Sequence, residues 1–163
     1  LTQFDEGFKT ISENFQKIFK ELFGGGRAML ELDYSQVDDK LEAGIEIIAE
    51  PPGKKLQKLS LLSGGEKALT AIAILFSILK LRPMPFCVLD EIEAALDEAN
   101  VDRFARYLKK FSEETQFIVI THRKPTMELA DALFGVTMQE KGVSKTVSVK
   151  LSDVEKIENE VIA

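Results

Sequence analysis

The chain has 163 residues, room for one domain and not for two full ones. Hydrophobic residues make up 45% and charged residues 29%, proportions that exclude wholesale disorder. Against 21 Lys and Arg stand 27 Asp and Glu, a net charge of −6, which excludes a surface coated in basic residues for nucleic acid but leaves room for a local basic patch.

The chain opens on Leu1 rather than Met and without a signal-peptide pattern, and is expected to be a piece cut from a longer polypeptide. Its first 23 residues read as a Phe-rich helix. Apolar residues fall at Phe4, Phe8, Ile11, Phe15, Ile18 and Leu22, in steps of 4, 3, 4, 3 and 4. That spacing fits a coiled-coil seam and equally a core-facing amphipathic helix. Gly24-Gly25-Gly26 should end it in a turn, because Gly tolerates positive φ. Arg27–Leu32 alternates, with Ala28, Leu30 and Leu32 on one face, and Ile45, Ile47 and Ala49 repeat the pattern. Pro51-Pro52-Gly53 closes the second run, and Lys54, Lys55 and Lys58 follow as a solvated basic loop, with a phosphate or nucleic-acid contact the lesser reading.

Beyond residue 63 helices and strands alternate. A helix from Glu66 to about Leu81 is apolar around most of its circumference and should be buried. Lys80, Arg82, Pro83 and Pro85 interrupt the apolar stretch, so no window approaches the roughly 18 residues of a membrane span. Phe86–Leu89 is a short apolar strand holding Cys87, the single Cys, which fits a reducing cytosol and no disulfide framework. A helix over Asn100–Phe111, a strand over Gln116–Ile120, a short helix near Pro125–Ala130 and a strand over Leu133–Met138 follow. Val143, Thr146, Val147, Val149 and Leu151 predict an edge strand or hairpin, and the acidic stretch from Ser152 to Ala163 a short helix or frayed tail. Apolar strands separated by helices imply an α/β layer with a parallel sheet.

Four segments could carry chemistry. Ser63 with Glu66 three residues on is a capping box, yet Gly64 and Gly65 between them cost about 1 kcal/mol each in a helix. Bare backbone at the positive end of a helix dipole, beside a hydroxyl, suits a phosphate oxygen. Asp90-Glu91 stands at the carboxyl end of an apolar strand, where open α/β sheets bind ligands. One acid there can hold a Mg²⁺ water shell and the other can orient or deprotonate an attacking water; the plainer reading is two loop acids. His122, the only His, lies just beyond the next apolar strand, so the same sheet edge would carry Asp90, Glu91 and His122. Asp97 or Asn100 reads as the N-cap of the following helix.

In this order and spacing the segments resemble the C-terminal half of an ABC-type ATPase head. The likeness is greatest to SMC (structural maintenance of chromosomes) proteins, of the bacterial condensin type. The residues that carry it are Leu62-Ser63-Gly64-Gly65-Glu66-Lys67-Ala68-Leu69, Leu89-Asp90-Glu91-Ile92-Glu93-Ala94-Ala95-Leu96-Asp97-Glu98-Ala99-Asn100-Val101 and Thr121-His122-Arg123-Lys124. Ile92 stands where transporters usually have Pro, Glu66 where they usually have Gln, and Glu93 where many SMC proteins carry Asp. The resemblance implies an α/β fold of the P-loop NTPase type, mainly parallel, incomplete without its N-terminal lobe. It makes residues 1–23 the end of a coiled-coil arm and 24–163 the C-terminal half of the head.

The resemblance also implies the roles. Ser63, Gly64, Gly65 and Glu66 form the signature and contact the γ-phosphate of ATP on an opposite head. Asp90 orders Mg²⁺ through water, Glu91 activates the hydrolytic water, His122 senses the γ-phosphate, and Asp97 couples the two sites. Partners implied are the N-terminal lobe, a second SMC head, a kleisin subunit and DNA, in the cytoplasm at the nucleoid and without membrane. No G-x-x-x-x-G-K-[ST] phosphate loop occurs, so the chain alone is expected to be inactive. Two other readings stand beside this one: the head of a recombination-repair ATPase, and a non-hydrolysing DNA-clamp or adaptor lobe, which the intact Asp90-Glu91 pair argues against.

Overall fold

A computed structural model describes residues 2–35, 37 and 41–150. Leu151 and the acidic stretch 152–163 lie outside the described residues.

Helix α1 (Thr2–Phe23) buries Phe15, Ile18, Phe19, Leu22 and Phe23. Spacings of 3, 4, 7 and 8 make a stripe wider than a coiled-coil seam, so this half of the helix faces a globular core. Phe4, Phe8 and Ile11, earlier on the helix, are only half-buried. The chain leaves α1 through Gly24, Gly25 and Gly26, all at positive φ, as expected of a turn. Gly26 is irreplaceable on two counts: its φ is +76°, and a Cβ there would lie 2.2 Å from the Glu50 carbonyl oxygen.

Three antiparallel strands follow, β1 (Arg27–Asp33), β2 (Gly44–Glu50) and the short β3 (Gln57–Lys58). Ala28 pairs with Ala49, Leu30 with Ile47 and Leu32 with Ile45, so the two alternating faces read from the sequence meet side by side. Only β3 and the 3₁₀ turn after it (Leu59–Leu61) carry no periodic signal.

Helix α2 (Gly64–Leu81) is the centre of the molecule, packed against α1 and burying Leu69, Ile72, Ala73, Phe76 and Leu79. Two polar side chains on it, Thr70 and Ser77, return their hydroxyls to the Glu66 and Ala73 carbonyls and so are buried without an orphaned donor. Phe76 stacks among Phe104, Tyr107, Phe111 and Phe117, joining α2 to α3 (Glu98–Phe111) and to β5 (Gln116–Ile120). Truncating a core aromatic of this kind to Ala costs roughly 3–5 kcal/mol.

The α/β class is as expected, but the parallel part is small. Among the described residues only β4 (Phe86–Asp90) and β5 run parallel. The strand expected over Leu133–Met138 extends over Ala132–Glu140 as β6, after the short α4 (Lys124–Glu128), and pairs antiparallel with β7 (Val143–Lys150). One face of the parallel pair, with Cys87, Leu89, Phe117 and Val119, packs on the helical core. The other is bare: Phe86, Val88, Ile118 and Ile120 are each at least half exposed. Among the described residues no helix is long and apolar enough to cross a membrane.

Gly26→Ala should destabilise by more than the roughly 1–3 kcal/mol of left-handed strain, since the clash is with backbone. Gly7→Ala, in open space on α1, should stabilise by about 1 kcal/mol. Urea denaturation of both variants checks the pair. The Tyr107 phenol is pushed up to about 12 by burial, with Glu21 and Glu114 adding to the effect. An unfolded Tyr releases its proton near pH 10, so the unfolded state gains and stability falls as pH rises from about 10 to about 12. Tyr107→Phe should remove that part of the alkaline loss, read as the difference in denaturation midpoint between about pH 9 and about pH 11.

Candidate functional site

Helix α2 begins with a complete capping box. The Ser63 hydroxyl accepts from the Glu66 amide at 3.4 Å, and Glu66 Oε2 accepts from both the Ser63 amide and the Ser63 hydroxyl at 2.9 Å. The plain structural reading of this pair is therefore correct as far as it goes. Lys54, on the loop after β2, adds an ion pair to Glu66 at 2.9 Å. Burial works against a charged Glu66, but the Lys54 ammonium and the Ser63 amide and hydroxyl outweigh it and hold the carboxyl below the usual range. Lys58 is likewise paired, to Glu46 at 2.6 Å, so two of the three lysines in the basic run are engaged within the chain.

The two glycines differ in what they do. A Cβ on Gly64 would meet nothing within 4 Å, whereas one on Gly65 would come 3.1 Å from the Ala95 carbonyl oxygen. Gly64 thus leaves the helix start open to an outside group. Gly65 lets the turn after Glu91 pack against α2. The first-turn amides of α2 have no intrahelical acceptor, which leaves the helix start able to receive an anion.

The acidic pair leaves β4 as expected. Asp90 is exposed, and the register of the parallel pair sets it beside Ile120. Glu91 has φ +47°, the only non-glycine residue at positive φ among the described residues. Such a backbone is strained by roughly 1–3 kcal/mol and recurs at functional sites. The Glu91 amide still donates to the Ile120 carbonyl at 2.9 Å, so the strand ladder anchors one side of the strained residue. Its carboxylate lies 3.3 Å from His122 Nδ1, with both side chains more than half exposed. Two residues 31 apart in sequence are therefore brought into contact where the two parallel strands end. Asp97 caps α3: its carboxylate accepts from the Asn100 amide and from the Asn100 side-chain amide, both at 2.9 Å.

Among the described residues no hydrogen bond or ion pair links Ser63 to Asp90, Glu91 or His122, and no three His, Cys, Asp or Glu converge as a metal cage. A single exposed Asp at a strand end nevertheless suits Mg²⁺, which keeps most of its water and takes one or two carboxylates together with phosphate oxygens. Sequence reasoning missed Lys54 as the partner of Glu66, because the two stand twelve positions apart, across β3 and the 3₁₀ turn. It also missed the buried Glu93, whose Oε1 accepts from Thr121 at 2.5 Å and Thr126 at 3.2 Å.

The chain is similar to known proteins over most of its length. A sequence profile of the RecF/RecN/SMC N terminal domain matches residues 8–145. The Chromosome partition protein Smc of Bacillus subtilis (strain 168) is 68% identical over 151 residues, 93% of this chain. The chain spans only 13% of that relative's length. A solved SMC ATPase structure, described for ATP-driven dimerization and DNA stimulated activation, superposes with a TM-score of 0.83 at 44% identity, covering 99% of this chain and 97% of that one. The Smc head domain from Pyrococcus furiosus, solved with an extended coiled coil and bound to the C-terminal domain of ScpA, superposes with a TM-score of 0.85 at 47% identity, covering 96% of this chain and 38% of the other. The chain belongs to the RecF/RecN/SMC family, as a segment of a bacterial SMC head.

Proposed function

We propose that this chain is the C-terminal half of an SMC head, which binds and hydrolyses ATP at a head–head interface and so drives chromosome condensation and segregation. The observation that carries the proposal is the contact of strained Glu91 with His122 at the ends of β4 and β5. A carboxylate and an imidazole 3.3 Å apart, both open to solvent, can hold a water and take its proton. A non-hydrolysing adaptor would gain nothing from backbone strain at Glu91. A recombination-repair ATPase shares the family profile, but the 68% identity to a chromosome partition protein favours the SMC reading.

In this mechanism ATP rests mainly on the N-terminal lobe, which belongs to the same longer polypeptide, and the chain alone is inactive. The bare sheet face of Phe86, Val88, Ile118 and Ile120 supports the need for that lobe, because parallel strands are normally covered on both faces. A groove of about 990 Å³ along β5 towards β6, lined among others by Val119, Leu129, Leu133 and Phe134, offers further room for it. Asp90 would hold Mg²⁺ through water, and the ion, when bound, supplies charge neutralisation of the phosphates. Glu91 orients and deprotonates the attacking water. His122 stands beside it to register the γ-phosphate. Ser63, Gly64 and Gly65 meet ATP carried by a second head, and for this the Ser63 hydroxyl must turn its proton from Glu66 towards the phosphate. Glu66 keeps the helix start in shape, with its charge offset by Lys54. Asp97 couples the paired sites from its position capping α3. The first turns of α1 continue into the coiled-coil arm. A kleisin subunit and DNA are the further partners, by analogy with the SMC heads described above, and the setting is the cytoplasm at the nucleoid.

Replacing Ser63 by Arg fills the open helix start with a bulky cation. In the complete protein ATP binding should persist while ATP-dependent head dimers disappear in sedimentation. Normal dimers would contradict the assignment of Ser63 to the opposite ATP. Glu91→Gln keeps shape and removes basicity, and general-base assistance is worth 10²–10⁴-fold, about 3–5.5 kcal/mol of barrier. Turnover should fall by that order with ATP-bound dimers accumulating, whereas Asp90→Ala should weaken Mg²⁺-ATP binding itself. Wild-type turnover by Glu91→Gln would overturn the mechanism.

A further inference from the structure

Glu93 is fully buried, yet only one of its carboxylate oxygens is satisfied. Oε1 accepts from the Thr121 and Thr126 hydroxyls, while Oε2 has no hydrogen-bond partner among the described residues. A buried carboxylate in that state is a liability for stability, because its desolvation is only partly recovered. Its place in the chain accounts for it. Glu93 sits in the turn between Glu91 and Asp97, where the Glu91 carbonyl accepts from the Ala94 amide and the Glu93 carbonyl from the Leu96 amide, both at 3.0 Å. Thr121 and Arg123 flank His122. The Thr121 hydroxyl donates to Glu93 at 2.5 Å and accepts from the Arg123 amide at 2.9 Å. The Arg123 guanidinium then donates to the Leu96 carbonyl at 3.2 Å. Both neighbours of His122 are thus tied to the turn that carries Glu91 and leads into Asp97.

We infer that Glu93 is a positioning residue that holds His122 against Glu91 by fixing Thr121 and, through it, the backbone on which His122 stands. The inference rests on the catalytic reading of Glu91 and His122 above. His122 itself is exposed, and the only hydrogen-bond or ion-pair partner of its ring among the described residues is Glu91, so no third group fixes the ring from its other side. The Glu93–Thr121 bond and the Arg123–Leu96 bond together do. They also make the end of β5 and the turn before α3 one braced unit, so that a displacement at His122 is passed to the Asp97 cap.

The test is ATP turnover by the full-length protein carrying this segment. Glu93→Leu removes the acceptor at similar volume, and kcat should fall by about ten- to hundred-fold with the KM for ATP within about twofold. Glu93→Gln retains an acceptor oxygen for Thr121 and should keep most of the wild-type kcat. Thr121→Val removes the donor from the other side without changing volume and should reproduce the loss even where Glu93→Leu folds poorly. A purely structural role is separated by a double-mutant cycle with His122→Ala. If Glu93 acts through His122, Glu93→Leu and Thr121→Val cost little further in the His122→Ala background. Kcat losses that simply multiply with that of His122→Ala, or wild-type kcat in both Glu93→Leu and Thr121→Val, would overturn the inference. Wild-type turnover by Glu91→Gln would instead overturn the underlying catalytic reading, a separate and distinguishable failure.

Discussion

The burial of α2 is the constraint on which the rest depends. One helix presents apolar residues to α1 on one side and, through Phe76, to the aromatic rings of α3 and β5 on another. The same helix begins at Ser63 and packs through Gly65 against the Ala95 carbonyl in the turn that follows β4. The hydrophobic term that seats Phe76 therefore also sets where the capped helix start lies relative to the acidic turn. A shift of α2 would cost core contacts at close-packed density, so the two ends of the candidate machinery are held by packing rather than by direct bonds.

Charge plays a secondary part, concentrated where the backbone is exposed. The ion pairs Arg27–Glu50, Lys58–Glu46 and Lys110–Glu21 lie at the surface and contribute little individually. Lys54–Glu66 is different in placement rather than in strength: it neutralises a carboxylate beside a helix start that would otherwise repel a phosphate. The single buried carboxylate among the described residues, Glu93, is held by neutral hydroxyls instead of a cation, and that makes it a geometric link more than an electrostatic one.

Two sets of exposed apolar residues differ in their surroundings. Phe86, Val88, Ile118 and Ile120 occupy one face of a parallel pair whose other face is packed on helices. Phe134, Val136, Met138, Val143 and Val147 lie on a two-stranded hairpin. An isolated hairpin is marginal in water and a half-covered parallel pair is unusual, so both sets mark surfaces that a larger head would be expected to cover.

Local pattern was enough for most of the elements. Alternation located β1 and β2 and even their facing residues, the apolar run bounded by charged residues and prolines located α2, and short apolar runs located β4 and β5. The candidate site was legible where chemistry is written in adjacent residues: the Ser63–Glu66 box, the Asp90-Glu91 pair and lone His122 each carry their signal within a few positions. Asp97 could not be told from Asn100 as the α3 cap until side-chain bonds distinguished them. Tertiary structure alone decided that Phe15 to Phe23 face a core, because a seven-residue spacing serves a seam and a wider stripe alike until a neighbour is present. It alone chose the hairpin over the separate edge strand, both of which the apolar residues from Val143 onward allowed, by pairing β7 with β6. And it alone joined Lys54 to Glu66, Glu91 to His122 and Glu93 to Thr121, residues 12, 31 and 28 apart, because such contacts exist only once the chain has closed the loops between them.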